Sequence, residues 1–221
     1  MGNQGFDYNV DIVMCIDATG SMRPILNEVK NNALSFYDKF AQEIARMDVS
    51  FEQLRVKVIA FRDYGADEEP MIESKFFKLD EEKEEFYNFV NAIEADGGGD
   101  APENALEAIA LAIKSDWSKE GIKRRHFIVV WTDAEALPLG ARKDSPKYPA
   151  DMPKDFDELQ DMWEGQEMDR KAKRMIIFAP DKKPWPDMID WTNTFHQVSQ
   201  AGKGCSDTDI EMCIHLLINA L

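Results

Sequence analysis

The sequence predicts a three-layer, doubly wound α/β domain: a mostly parallel sheet of six strands, covered by helices on both faces, with one antiparallel strand at an edge. Val10 to Ile16 (VDIVMCI) and Phe127 to Trp131 (FIVVW) are almost unbroken β-branched and aromatic runs, the pattern of strands buried on both faces of a parallel sheet. Helical periodicity follows each. An aspartate closes each run: Asp17 the first, and Asp133, after Thr132, the second. The carboxyl ends of parallel strands share one edge, and ligands bind there where the strand order reverses. Asp17 and Asp133 are therefore expected to be neighbours in space and a candidate site.

The first strand leads into a helix expected over Pro24 to Arg46, with Leu26, Val29, Ala33, Phe36, Phe40 and Ile44 on one stripe. Val56 to Phe61 (VKVIAF) reads as a second strand and Met71 to Leu79 as a third. The link from Arg62 to Pro70 is too short for a helical crossover, so the third strand is expected to run antiparallel. Glu81 to Ile93 is an acidic amphipathic helix. After Gly97 to Gly99 a further helix is expected from Pro102 to Ser115, favoured by proline at its start and by the acidic Asp100 and Glu103.

The fourth strand ends at Trp131, and Ala134 to Asp155 follows with prolines at 138, 146, 149 and 153 and no periodicity. A segment this long without structure of its own is usually functional. Because it leaves the edge that carries Asp133, it reads as a lid, a partner-binding loop or a decorative insertion. Phe156 to Arg170 is then a helix, Arg174 to Ala179 a fifth strand, Pro186 to Trp191 a helical turn, Phe195 to Val198 a sixth strand, and Asp207 to Ala220 a terminal helix. There is no repeat or linker, so residues 1–221 read as a single domain.

Asp17-x-Thr19-x-Ser21 brings a carboxylate and two hydroxyls to one turn, and oxygen donors of this kind suit a hard divalent cation. Capping of the following helix by Asp17 and Thr19 is the alternative reading. Asp100 has the same two readings, metal ligand or N-cap. Asp63, at the end of the second strand, is expected to orient a metal-bound water or to pair with Arg62. Trp163, Trp185 and Trp191 are expected in the core. His126, His196 and His215 do not share metal-ligand spacing.

Asp17, Thr19 and Ser21, the loop Gly97-Gly98-Gly99-Asp100-Ala101-Pro102-Glu103 opening a helix, and Asp133 arrive in the order of the von Willebrand factor A family. The chain resembles that family over nearly its whole length. Cys15 to Met22, Phe61-Arg62-Asp63-Tyr64 and GGGDAPE are most similar to its intracellular branch, found beside alpha-kinases and in bacteria. The resemblance implies a Rossmann-like fold and a metal-ion-dependent adhesion site, with Asp17, Thr19, Ser21, Asp100 and Asp133 around Mg²⁺, or Mn²⁺ or Ca²⁺ in its place. The family usually offers a threonine where this chain has Asp100. With Asp100 taking that place, Asp133 is expected to bind through water, and partner selection to lean on basic or neutral groups near the Ala134 to Asp155 loop.

Composition narrows the partners. The net charge of −16 argues against nucleic acid and anionic membranes, which need clustered Lys and Arg. Cys15, Cys205 and Cys213 form no disulfide framework, and MGNQGFDYN lacks the apolar core of an export signal, so a cytoplasmic protein is expected. The function implied is a noncatalytic interaction module whose metal face docks an unidentified protein partner. The alternative is a Mg²⁺-dependent phosphotransferase or phosphohydrolase using Asp17, although such enzymes want a second aspartate where Thr19 stands.

Overall fold

A computed structural model describes residues 7–47, 50–97 and 102–221. Its sheet is built on β1 (Tyr8–Asp17) and β5 (Lys123–Trp131), which pair in parallel from Tyr8 with Lys123 to Ile16 with Trp131. On the other side of β1 lies β2 (Phe51–Phe61), also parallel. β6 (Lys173–Ala179) and β7 (Thr194–Val198) extend the sheet beyond β5. The order β3 (Met71–Glu73), β2, β1, β5, β6, β7 reverses at β1, so the loops after β1 and β5 leave the sheet side by side at the switch point.

The expected antiparallel edge strand is present but interrupted. Its pieces, β3 (Met71–Glu73) and β4 (Phe77–Lys78), both pair with β2, giving seven strands. Ser74 turns both its amide and its hydroxyl on Val58, the amide donating to the carbonyl and the hydroxyl accepting from the amide, each at 2.9 Å. A side chain standing in for the backbone ends the ladder there.

β1 is buried from Asn9 to Asp17, and alternate residues face separate cores. Ile12, Met14 and Ile16 join one core with α1 (Arg23–Asn32), α2 (Phe36–Ala45), α3 (Lys83–Ala92) and α6 (Ile210–Asn219). Val13 and Cys15 join the other with α4 (Ala105–Ile113), α5 (Phe156–Glu164), Trp163, Trp185 and Trp191. The tryptophans are thus core residues, as expected.

Three helix boundaries differ from the sequence reading. The helix expected over Pro24 to Arg46 is two helices, because Asn32 donates back to the Glu28 carbonyl at 2.8 Å and its own carbonyl takes the Ser35 amide at 3.0 Å. Asn and Ser compete with helical bonding in this way. α4 starts at Ala105, later than the Pro102 expected, and Asn104 stands at its cap position. α5 stops before Gly165, short of Arg170, and Asp169 turns the chain by accepting from the Lys171 amide at 2.9 Å. Asp155 and Asp209 cap α5 and α6, accepting from Glu158 and Met212.

Candidate functional site

The loops after β1 and β5 bring Asp17, Thr19, Ser21 and Asp133 into one hydrogen-bonded chain. The Asp17 carboxylate accepts on Oδ1 from the Thr19 amide at 2.9 Å and the Thr19 hydroxyl at 2.6 Å. Thr19 and Ser21 hydroxyls lie 3.4 Å apart, and Ser21 donates to Asp133 Oδ1 at 3.0 Å. Asp17, Thr19 and Asp133 are buried, whereas Ser21 is exposed. The Gly20–Met22 turn before α1 has no side-chain cap from Thr19, so the capping alternative for this residue does not hold.

Three groups that hold this arrangement escaped the sequence reading. Thr132 donates to Asp17 Oδ2 at 2.8 Å, bridging β5 to β1. Gly204 donates its amide to Asp133 Oδ2 at 2.6 Å. It has φ of +58°, and a side-chain carbon there would come within 2.1 Å of the Ser21 carbonyl oxygen, so only glycine permits this approach. Arg62 is buried and donates to the carbonyls of Ala18 at 3.2 Å, Glu69 at 2.8 Å and Glu94 at 2.7 Å. One guanidinium thereby ties together the three loops around the site. The pairing of Arg62 with Asp63 is therefore corrected.

Asp63 instead forms a two-pronged ion pair with Arg142, at 2.6 and 2.7 Å. Burial acts to raise its pKa, but Arg142 and the Gly65 amide prevail and hold it below the usual carboxylate value. Arg142 belongs to the Ala134 to Asp155 segment, which is a strap secured along α4. Tyr148 donates to Glu107 Oε1 at 2.9 Å and stacks edgewise on Tyr64. Trp185 Nε1 donates to the Ala134 carbonyl at 2.9 Å.

An open cleft of about 690 Å³ lies over the site, lined among others by Thr19, Ser21, Glu103, Asp133 and Lys182. Lys182 stands 3.4 Å from Glu135 at its rim. Electrostatically the cleft is one-sided: among the described residues no ion pair reaches Asp17, Glu103 or Asp133. Burial pushes the Asp17 carboxyl up to about 6, partly offset by bonds from Thr19 and Thr132 and reinforced by Asp133. Glu103 is pushed up to about 8, by burial first and then by Asp17, Asp63 and Asp67.

The donor set suits a hard divalent cation. Thr19 and Ser21 place their protons on carboxylates, which leaves hydroxyl lone pairs available. Among the described residues no three acidic, histidine or cysteine side chains gather as a metal cage, so hydroxyls and water would have to complete any coordination. Asp100 lies outside the described residues. His126 is buried, while His215 is exposed.

Residues 11–139 match the model of the von Willebrand factor A domain. A stretch of 108 residues is 27% identical to the alpha-protein kinase vwkA of Dictyostelium discoideum, covering 49% of this chain and 16% of the kinase. The pilus adhesin SpaC from Lactobacillus rhamnosus GG superposes with a TM-score of 0.58 at 11% identity, over 95% of this chain and 30% of the adhesin. A von Willebrand factor type A protein from Catenulispora acidiphila superposes with a TM-score of 0.53 at 14% identity, over 97% of this chain and 43% of its own. The chain thus spans less than half the length of each of these proteins, and the two structures share its fold. No helix among the described residues is long and apolar enough to cross a membrane. The chain belongs to the von Willebrand factor A domain family, whose members generally act as protein-interaction modules.

Proposed function

We propose that this chain is a noncatalytic, metal-dependent interaction module, in which Asp17, Thr19, Ser21 and Asp133 hold Mg²⁺, with Mn²⁺ or Ca²⁺ able to substitute, and a partner protein docks on that face. The observation that carries this is the absence of any ion pair to Asp17 and Asp133 among the described residues, although both are buried. Buried carboxylates normally have a cationic partner, and an external cation would supply one. Both Asp133 oxygens are engaged, by Ser21 and Gly204, which favours contact through water. Asp100 enters as a ligand on the sequence alone.

The enzymatic alternative is weaker. Asp17 is wholly buried with both oxygens bonded, an arrangement poorly suited to attack on a phosphate. The intracellular, alpha-kinase-associated or bacterial branch and a cytoplasmic setting form part of the same proposal, supported by three free, buried cysteines.

The test is calorimetric and thermal titration with Mg²⁺. At about a hundred times the dissociation constant, Mg²⁺ adds roughly 2.7 kcal/mol of stability to a fold that alone binds it. Asp17→Asn is expected to abolish that increment. Equal melting of the wild type in Mg²⁺ and in chelator, after chelation has removed carried-over metal, refutes the proposal.

A further inference from the structure

Glu103 stands apart from every other acidic side chain at this edge. Its backbone is fixed where the lead-in to α4 meets the strap: its carbonyl accepts from the Leu137 amide at 2.8 Å and it bridges in parallel with Ala136. Glu103 is 2% exposed, it lines the cleft with Thr19, Ser21 and Asp133, and its Oε2 is buried without a hydrogen-bond partner among the described residues. A buried carboxylate oxygen left unpaired is costly, and such an orphan facing a cleft marks a place for something from outside the protein.

Glu107, one helical turn further on, supplies the contrast. It is also buried and also acidic, and its Oε2 is likewise unbonded among the described residues, but it does not line the cleft, and the Tyr148 hydroxyl at 2.9 Å and the Gly140 amide at 3.3 Å hold its Oε1 against the strap. Glu107 secures the strap. Among the described residues no group does the same for Glu103.

We infer that Glu103 is an additional acidic residue of the cation site, accepting a hydrogen bond from water bound to the divalent cation. The inference rests on the cation reading of the cleft given above. Contact through water follows from the absence, among the described residues, of three acidic side chains close enough to hold an ion together. A carboxylate that orients a metal's water or ligands typically changes affinity by about 10- to 100-fold when lost. In the metal-free protein the same carboxylate, once ionised at alkaline pH, only crowds Asp17 with like charge in a buried place. Its removal therefore has opposite consequences in the two states.

The experiment compares full-chain wild type, Glu103→Gln and Glu107→Gln for Mg²⁺ affinity by calorimetry and for melting in chelator. Glu103→Gln is expected to weaken Mg²⁺ binding by about tenfold or more while raising the melting temperature in chelator at alkaline pH. Glu107→Gln is expected to leave Mg²⁺ affinity unchanged. Wild-type affinity in Glu103→Gln overturns the inference and leaves the metal reading standing, whereas a wild type that binds no divalent cation removes both. Should Glu103→Gln not fold, Glu103→Asp decides, because it keeps the charge and withdraws it by one methylene. Lost affinity there supports the inference, and retained affinity overturns it.

Discussion

Asp11 and Asp17 lie on the same strand, point to the same face of the sheet and are both wholly buried, yet they are treated oppositely. Arg55 grips Asp11 with two bonds, at 2.8 and 2.6 Å, and the Ser118 amide adds a third at 2.7 Å. Asp17 receives only neutral donors, from Thr19 and Thr132. At the amino edge the fold neutralises its own buried charge. At the carboxyl edge it leaves Asp17, Asp133 and Glu103 without an ion pair among the described residues, a difference that separates a structural carboxylate from one held in readiness for a ligand.

The largest effect expected from this contrast comes from breaking the satisfied pair. Asp11→Ala strands a partly buried guanidinium and should cost about 3 to 5 kcal/mol, equally in Mg²⁺ and in chelator, by urea unfolding. Asp17→Asn should cost the chelated protein far less, since Thr19 and Thr132 can still bond an amide. If the two substitutions destabilise the chelated protein alike, the contrast between the edges is lost.

A pH profile sharpens the comparison. Burial raises the Glu103 carboxyl from 4.5 to about 8, so the folded protein takes up this proton more readily than the unfolded chain. Protonation therefore stabilises the fold, and this contribution is lost as pH rises from 4.5 through about 8, with Asp17 acting in the same direction between 3.8 and about 6. Melting of the chelated protein should reveal a progressive loss of stability across that window, flattened at its upper end in Glu103→Gln. Stability that rises with pH over the same range would contradict the account.

The smallest expected effect concerns the strap. Tyr148→Phe removes the hydroxyl that bonds Glu107 and should cost about 1 kcal/mol, with faster amide exchange confined largely to residues 134–155. Unaltered exchange there would mean that Arg142 and the strap's backbone contacts suffice without Tyr148. Mg²⁺ affinity should not respond, because Glu107 faces the strap and not the cleft.

Much of this was legible in the chain. The apolar runs of β1 and β5, each closed by an aspartate, are a local record of burial on both faces, and they were enough to bring Asp17, Thr19, Ser21 and Asp133 to one edge. Helix ends were less legible, because Asn32 interrupts one helix through a side-chain bond to the backbone and Gly165 ends another, and the apolar stripe registers neither. Arg62 looked like a partner for its neighbour Asp63, since adjacency is all that a sequence displays. The guanidinium instead reaches three carbonyls, and Asp63 takes Arg142 from 79 positions away.

By itself the sequence determined the fold class, the switch point and four oxygen donors of the candidate site, because periodicity and strand ends are properties of short stretches. Only the tertiary structure decided which buried charges are answered. Thr132, Gly204 and Glu103 carry no local signal of their parts: the first bridges two strands, the second matters through an approach to Ser21 across the fold, and the third through the absence of a partner. Whether a carboxylate is paired depends on groups that folding brings from far along the chain, and on the water it excludes, so that information exists only in the assembled molecule.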